Sequence, residues 1–273
     1  MFIITRLYHT FRAAFFWDNP LEILIDYHLL RRSDPIRLRK SGMSVLVNYR
    51  HSDMQAAHDV LIDGMYDQAL KLAYSSKTVS KFRYLNLGAN IGTFDLRAAQ
   101  FLQNAEIKFS GVAVEMNTAT FARLVVNLEI NRLLSIRPLN VALAEVDGEV
   151  LCQLDARDTG QAVGDSENHP ESEHPVAAMS WSSLWDTISN GGPFDLVKVD
   201  IEGEEKFFLS GLSETQAKSI RCLVIETHNV ALHELCDRRL VELGFSVIEK
   251  ERDTPQTRIS LWSRASLGSS ACP

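Results

Sequence analysis

The sequence predicts an α/β fold: a mostly parallel sheet with helices on both faces and one reversed strand at its end. Three observations carry this. From Lys81 onward, short apolar runs alternate with amphipathic stretches, the pattern of parallel strands joined by crossover helices. The last two runs, "FSVIEKE" and "TRISLWS", are separated only by a short segment around "RDTPQ". That is too short for a crossover, so they form an antiparallel hairpin. The chain has 273 residues, 45% of them apolar and 23% charged, enough to build a large core without a disulfide or metal staple.

The chain opens with "MFIITRLYHTFRAAFFW". Its apolar residues recur at Ile3/Ile4, Leu7/Tyr8, Phe11 and Ala14/Phe15, which is helical spacing. Arg6, His9 and Arg12 interrupt any signal-peptide core. Residues 1–17 are therefore read as a helix packed on the domain or on another subunit of a homo-oligomer. A peripheral membrane contact is the alternative, because an apolar stripe with basic flanks suits a membrane surface too. No run approaches the ~18 apolar residues of a membrane span, and Cys152, Cys222, Cys236 and Cys272 form no C-x-x-C pair. A cytoplasmic protein with reduced thiols is expected.

Asn19-Pro20 reads as an N-cap with proline at the first helical position, opening a helix to about Arg32 that Asp34-Pro35 ends. "IRLRKSGMSVLV" reads as a hairpin turning at Ser41-Gly42. "SDMQAAHDVLIDGMYDQALKLAY" reads as a capped helix broken near Gly64. Together these make an N-terminal extension, residues 1–80, ahead of a ligand-binding domain over 81–273. The first fifty residues carry eight Lys/Arg against four Asp/Glu, within a chain of net charge −7. That acidic balance argues against nucleic acid as a partner, which calls for clustered cations.

Within 81–273 the expected strands are "RYLNLG", "FSGVAVE", "IRPLNVALAE", "FDLVKVD" and "RCLVIETH", followed by the terminal pair. Helices are expected over "TFDLRAAQFLQ", "TATFARLVVNLEINRL" and "ALHELCDRRLVELG". Residues 155–175 break the pattern: positions 158–175 hold five acids and no Lys/Arg. This stretch reads as a solvated loop or a substrate lid between the third and fourth strands.

Ligands of open α/β sheets bind beyond the carboxyl ends of the strands. After the first strand come Gly88, Ala89, Asn90, Ile91 and Gly92, where two glycines allow a tight turn and a close approach to a ligand. The spacing is G-x-x-x-G, not the dinucleotide G-x-G-x-x-G, which argues against an NAD-dependent oxidoreductase. Glu115 ends the second strand, where a carboxylate can accept both hydrogen bonds of a ribose diol. Lys198 and Asp200 share one face of the fourth strand, and Glu226 and His228 share one face of the fifth. If these strands are neighbours, the four side chains converge. Glu202-Gly203 reads as a loop that shapes and caps the following helix.

"NLGANIGTF", "VAVEMNTATFARLVVNLEINRL", "DLVKVDIEGEEKFFLSG" and, more loosely, "CLVIETHN" resemble the FkbM family of S-adenosylmethionine-dependent methyltransferases, over about Ile36 to Ser263. "IRLRKSGMSVLV" and "DGMY" fit the segment before that family's core. The resemblance implies a Rossmann-like class I methyltransferase sheet, seven strands with the last antiparallel. It implies S-adenosylmethionine as donor, S-adenosylhomocysteine as product, and O-methylation of a hydroxyl on a sugar, glycan or other small acceptor. By motif, Asn86, Gly88, Ala89, Asn90 and Gly92 belong to the donor loop. Glu115 would hold the ribose, Met116 and Asn140 to Ala142 would lie near the adenine, and Asp200 would sit near the methionine end and the acceptor. The family usually carries Asp at the position of Asn86, so this chain lacks one negative charge near a cationic donor.

The candidate general bases are His228, whose ordinary pKa is about 6.5, and Asp200. Glu226 orients or binds the acceptor, and Lys198 completes the catalytic set. Asp200, Glu226 and His228 could also hold a divalent ion, but nothing in their spacing requires one and no metal is expected. A binding module on a methyltransferase scaffold is the alternative function, suggested by Asn86 alone. A nucleic-acid methyltransferase is disfavoured because no Asn-Pro-Pro-aromatic signature follows the fourth strand.

Overall fold

The computed structural model describes residues 16–25, 36–40, 42–48, 52–75, 81–153 and 173–264. The helix expected over residues 1–17 lies almost wholly outside these residues. So do the far part of the helix expected to reach Arg32 and most of the acidic 155–175 stretch.

Seven strands form the central sheet: β3 (Lys81–Leu87), β4 (Lys108–Val114), β5 (Ile136–Leu139), β9 (Phe194–Val199), β10 (Ile220–Thr227), β11 (Phe245–Glu251) and β12 (Arg258–Arg264). Their order is β11-β12-β10-β9-β3-β4-β5. Neighbours are parallel except where β12 inserts between β10 and β11, running against both. This is the mostly parallel sheet with one reversed strand that the sequence predicts, but the reversed strand is second from the edge rather than at the end, because β11 folds back outside it. From β3 the chain winds out to β4 and β5 on one side and later returns to β9 on the other. The switch point therefore falls between β3 and β9, where such sheets bind ligands.

The sheet is buried on both faces, so its strands read as apolar runs. One face packs Tyr84, Leu196, Val224 and Leu261 against α2 (Asp53–Leu61), α3 (Asp67–Ser75) and α4 (Thr93–Asn104). The other packs Leu85, Val197, Ile225 and Trp262 with Trp181, Phe208 and Leu240. Those three side chains come from α6 (Trp181–Ile188), α7 (Glu205–Gly211) and α9 (Val230–Glu242), while α8 (Glu214–Lys218) leads into β10.

The third expected strand is interrupted. β5 stops at Leu139, and β6 (Ala142–Leu143) leaves to join a separate sheet of order β6-β8-β7, with β7 (Gly148–Gln153) and β8 (Glu173–Met179). The cause is Asn140, whose amide donates to the Glu115 and Met116 carbonyls at 2.8 and 3.0 Å and turns the chain off the sheet edge. β7 and β8 pair antiparallel from Gly148↔Ala178 to Gln153↔Glu173. The acidic stretch therefore connects the arms of a hairpin that the sequence reading did not contain.

Before the sheet come α1 (Pro20–Leu24) and the expected hairpin, β1 (Ile36–Lys40) with β2 (Met43–Val47). Asn19 does not cap α1 with its side chain; it accepts from Arg39 N and donates to Arg37 O, stitching the helix to β1. Ser52 likewise makes no side-chain cap for α2, and the expected break separates α2 from α3 at Gly64. The hairpin docks on α5 (Thr118–Ile130). Asn127 pairs with both backbone groups of Leu46, and Asn131 just past the helix does the same for Ser44. A buried Arg123–Asp53 ion pair at 2.8 Å joins α5 to α2. These contacts cross the boundary drawn after residue 80.

Candidate active site

The carboxyl ends of β3, β4, β9 and β10 meet at the switch point. Gly88 and Ala89 both donate to the Val114 carbonyl, and Asp200 N donates to the Leu87 carbonyl, so the three loops leave the sheet as one unit. Gly88 has φ +74°, and a Cβ there would fall 1.6 Å from the Asp200 carbonyl oxygen. A Cβ on Gly92 would lie 2.7 Å from Leu124 Cδ1. Both glycines thus make room for the protein itself: Gly88 for the β9 loop, Gly92 for α5.

Glu115 is buried at the end of β4. Its Oε2 accepts from Asn90 N and its Oε1 from Asn117 N, each at 2.8 Å. Burial raises its pKa, and these two backbone donors pull it back down. Each oxygen keeps a further lone-pair direction beyond these bonds. Asn90 sits at φ +51°, with its own Oδ1 2.7 Å from Ile91 N. Asn140 ties the Glu115–Met116 backbone to β5, and Ala142 is buried at the start of β6.

Asn86 is fully buried on β3, and its amide donates to Asp95 Oδ2 at 2.7 Å. Tyr84 donates to Asp95 Oδ1 at 3.0 Å. Asp95 is fully buried in the first turn of α4, and burial raises its pKa to about 7 against the pull of Asn86, Tyr84 and Lys198. A carboxyl therefore stands one side chain away from position 86, on Asp95, and with a pKa of about 7 it is only partly ionised at neutral pH. No signal in the sequence reading marked Asp95.

Lys198 and Asp200 do share a face, and β10 does lie beside β9, so the four expected residues converge. The buried Lys198 Nζ donates to the Gly88 carbonyl at 2.7 Å and pairs with Asp200 Oδ2 at 3.1 Å. His228 lies among three carboxylates. Its Nδ1 is 3.0 Å from Glu205 Oε1, and its Nε2 is 3.2 Å from Glu202 Oε2 and 3.9 Å from Asp200 Oδ1. Burial works against a charged ring, but the hydrogen bonds and charges of Glu202 and Glu205 outweigh it and raise the imidazole to about 11. Glu226 is pushed up to about 7, first by burial and then by Asp200, with His228 and Lys198 opposing. Among the described residues the Glu226 carboxyl has no hydrogen-bond or ion-pair partner.

Three residues join the site that the sequence reading left out of it. Glu205, fully buried, accepts from Ile201 N and Gly203 N and so shapes the loop that had been assigned to Glu202-Gly203. Glu202 itself turns at φ +54° with its carboxylate on His228. Tyr66 reaches in from the segment before α3, its hydroxyl 3.4 Å from Asp200 Oδ2. Asp200, Glu202 and His228 each place one ligand atom within 4.8 Å of the others, a spacing a divalent ion accepts, with Glu202 in the place expected for Glu226. Lys198 and the His228 ring already face these carboxylates.

A reversed last strand, a glycine-bearing loop after β3, a carboxylate after β4 and an acid-lined cleft after β9 and β10 are the features of Rossmann-like methyltransferases. Residues 86–247 match the methyltransferase FkbM domain, and the chain belongs to that family. It is a methyltransferase, with S-adenosylmethionine as its cofactor. No curated protein matches the chain. Similar solved structures include ribosomal protein L11 methylase from Lactobacillus delbrueckii subsp. bulgaricus, with 11% identity and TM-score 0.42, covering 74% of this chain and 80% of that one. The delta-N METTL16 MTase domain has 13% identity and TM-score 0.48, covering 89% and 93%. The N-terminal domain of EvdMO1 with SAH bound has 12% identity and TM-score 0.44, covering 77% and 81%. Among the described residues no helix is long and apolar enough to cross a membrane.

The residues present fit the donor. Glu115 keeps lone pairs for a diol, Asp200 and Glu226 bring negative charge suited to a sulfonium, and the buried Asn86 Oδ1 has no partner among the described residues.

Proposed function

We propose that the enzyme methylates a hydroxyl oxygen of a sugar, glycan or other small acceptor, with Glu226 as the general base. The observation that carries this is the Glu226 carboxyl. It has no partner among the described residues, is raised to about 7, and is set at the β10 end beside Asp200. S-adenosylmethionine supplies an electrophilic methyl group on a positively charged sulfur. The chain's own task is to hold an acceptor oxygen in line and take its proton. Positioning of this kind contributes several kcal/mol, and a well-placed base about 10²–10⁴-fold.

Of the candidate bases, a His228 ring kept charged by Glu202 and Glu205 has no lone pair for the acceptor's proton. In this reading it offsets the surrounding carboxylates and orients Glu202. Asp200 is occupied on Oδ2 by Lys198 and Tyr66, which suits it to steadying the donor's charge. Glu115 takes the ribose. Asn86, Gly88, Ala89, Asn90, Gly92, Met116, Asn140 and Ala142 form the remainder of the donor cradle.

A neutral polyol acceptor is supported by the acids that line the cleft and by the net charge of −7, both of which repel phosphate-rich chains. The test is transfer of labelled methyl to fractionated glycans and small metabolites, with RNA and protein fractions beside them. Alkali-stable label in a neutral carbohydrate or aglycone fraction, lost in Glu226→Gln, supports the reading. Label confined to RNA or protein overturns it.

A further inference from the structure

We propose that Tyr66 is a positioning residue of the methyl-transfer site, acting through Asp200. The inference rests on the reading of Asp200 as the acid at the donor's cationic end. Tyr66 lies between α2 and α3, in the N-terminal part of the chain, yet it is only 4% exposed. Its hydroxyl donates a long hydrogen bond, 3.4 Å, to Asp200 Oδ2, the oxygen that Lys198 holds at 3.1 Å. The Lys198 ammonium also stands 5.6 Å from the centre of the Tyr66 ring. Two donors on Oδ2 fix the rotation of the carboxylate, so Oδ1 is the oxygen left on the His228 side, 3.9 Å from Nε2.

The ring that carries this hydroxyl is held in turn by the helix that follows the donor loop. It packs edge-to-face on Phe94 of α4 at 5.4 Å. The next residue, Asp67, forms a two-pronged pair with Arg97 of α4, 2.7 Å to Nε and 2.6 Å to Nη2, the strong fork geometry for this pair. Gly64 ends the preceding turn at φ +73°, and a Cβ there would lie 2.9 Å from the Asp67 carboxyl. The donor loop, α4, the Asp67–Arg97 fork, Tyr66 and Asp200 therefore close a ring of contacts. In this arrangement Tyr66 sets the direction of Asp200 without touching an acceptor.

The test uses the full chain and two probes: S-adenosylhomocysteine, which is neutral at sulfur, and sinefungin, which carries a protonated amine where the sulfonium methyl would be. Calorimetric affinities are measured for the parent protein, Tyr66→Phe, Asp67→Asn and Asp200→Asn. Tyr66→Phe keeps the ring and loses only the donor. It is expected to weaken sinefungin about five- to tenfold, the scale of one ordinary hydrogen bond, with S-adenosylhomocysteine and the melting temperature little changed. Asp67→Asn is expected to act in the same direction, and it keeps the proposal testable should Tyr66→Phe not fold. An unchanged sinefungin preference in both variants, with that preference lost in Asp200→Asn, overturns the role of Tyr66 and leaves the role of Asp200 standing. A preference unchanged in Asp200→Asn as well overturns both.

Discussion

The Lys198 ammonium donates to the carbonyl oxygen of Gly88 at 2.7 Å, so a buried cation on β9 holds the turn that ends β3. The same ammonium pairs with Asp200. Replacing it with Met would leave the Gly88 carbonyl without this donor and the partly buried Asp200 carboxylate without its cation, with only the long Tyr66 bond on Oδ2. Removing one partner of a buried pair costs about 3 kcal/mol or more. Lys198→Met is expected to lower the urea midpoint accordingly and to weaken S-adenosylhomocysteine about tenfold. Unchanged denaturation and binding would show that the ammonium ties nothing together.

The proposed role of Glu226 as general base carries a pH dependence. As a base it works ionised, and its carboxyl is raised to about 7. Turnover should therefore rise with pH up to about 7 and level off above. His228, raised to about 11, stays charged over this range and adds no limb of its own. Glu226→Gln should lower kcat by about 10²–10⁴-fold and remove the acidic limb. A limb that survives in Glu226→Gln would move the base elsewhere.

Asp95 makes a separate, purely structural prediction. Its folded pKa of about 7 lies above the ordinary 3.8. The folded state therefore binds this proton more tightly than the unfolded state. Stability from this group is full below about pH 4, falls as pH rises to about 7, and is flat beyond. Asp95→Asn removes that loss while keeping an oxygen for Asn86 or Tyr84. The melting temperature of Asp95→Asn relative to the parent should increase from pH 5 to pH 8. A constant difference across that range would mean that Asp95 titrates normally.

Much of the scaffold was legible because burial on both sheet faces turns strands into apolar runs, and a connection as short as "RDTPQ" allows only a hairpin. Alternation along β9 and β10 paired Lys198 with Asp200 and Glu226 with His228, and the parallel pairing of the two strands in the structure brings the pairs together. What the pattern hid depends on side chains acting across long sequence separations. Asn140 turns β5 off the sheet by reaching back to the Glu115 carbonyl, and nothing local distinguishes that amide from any other. Tyr66 and Asp95 look like ordinary members of amphipathic segments. They become site residues only because α3 and α4 lie on the face of the sheet that carries Lys198. The protonation of His228 was equally out of reach: it is fixed by Glu202 and Glu205, whose roles depend on how the loop after β9 turns.

Glu115 gives the sharpest test of the donor cradle. Both of its oxygens accept a backbone N–H, from Asn90 and from Asn117. A glutamine is nearly the same size, but its amide nitrogen would point two hydrogens at one of those donors, leaving a buried N–H unsatisfied at a cost of about 1–3 kcal/mol. The substitution also removes the charge that strengthens any bond from a ribose hydroxyl. Glu115→Gln should therefore weaken S-adenosylhomocysteine by about tenfold or more and lower the melting temperature modestly. Glu115→Asp retains the charge but draws the carboxylate back by one methylene, away from Asn90 N. If Asp binds the product as tightly as the parent, the charge alone matters. If Asp is as weak as Gln, the carboxylate acts by spanning the loop after β3 and Asn117, the residue that caps the start of α5, which is the arrangement its two 2.8 Å bonds describe.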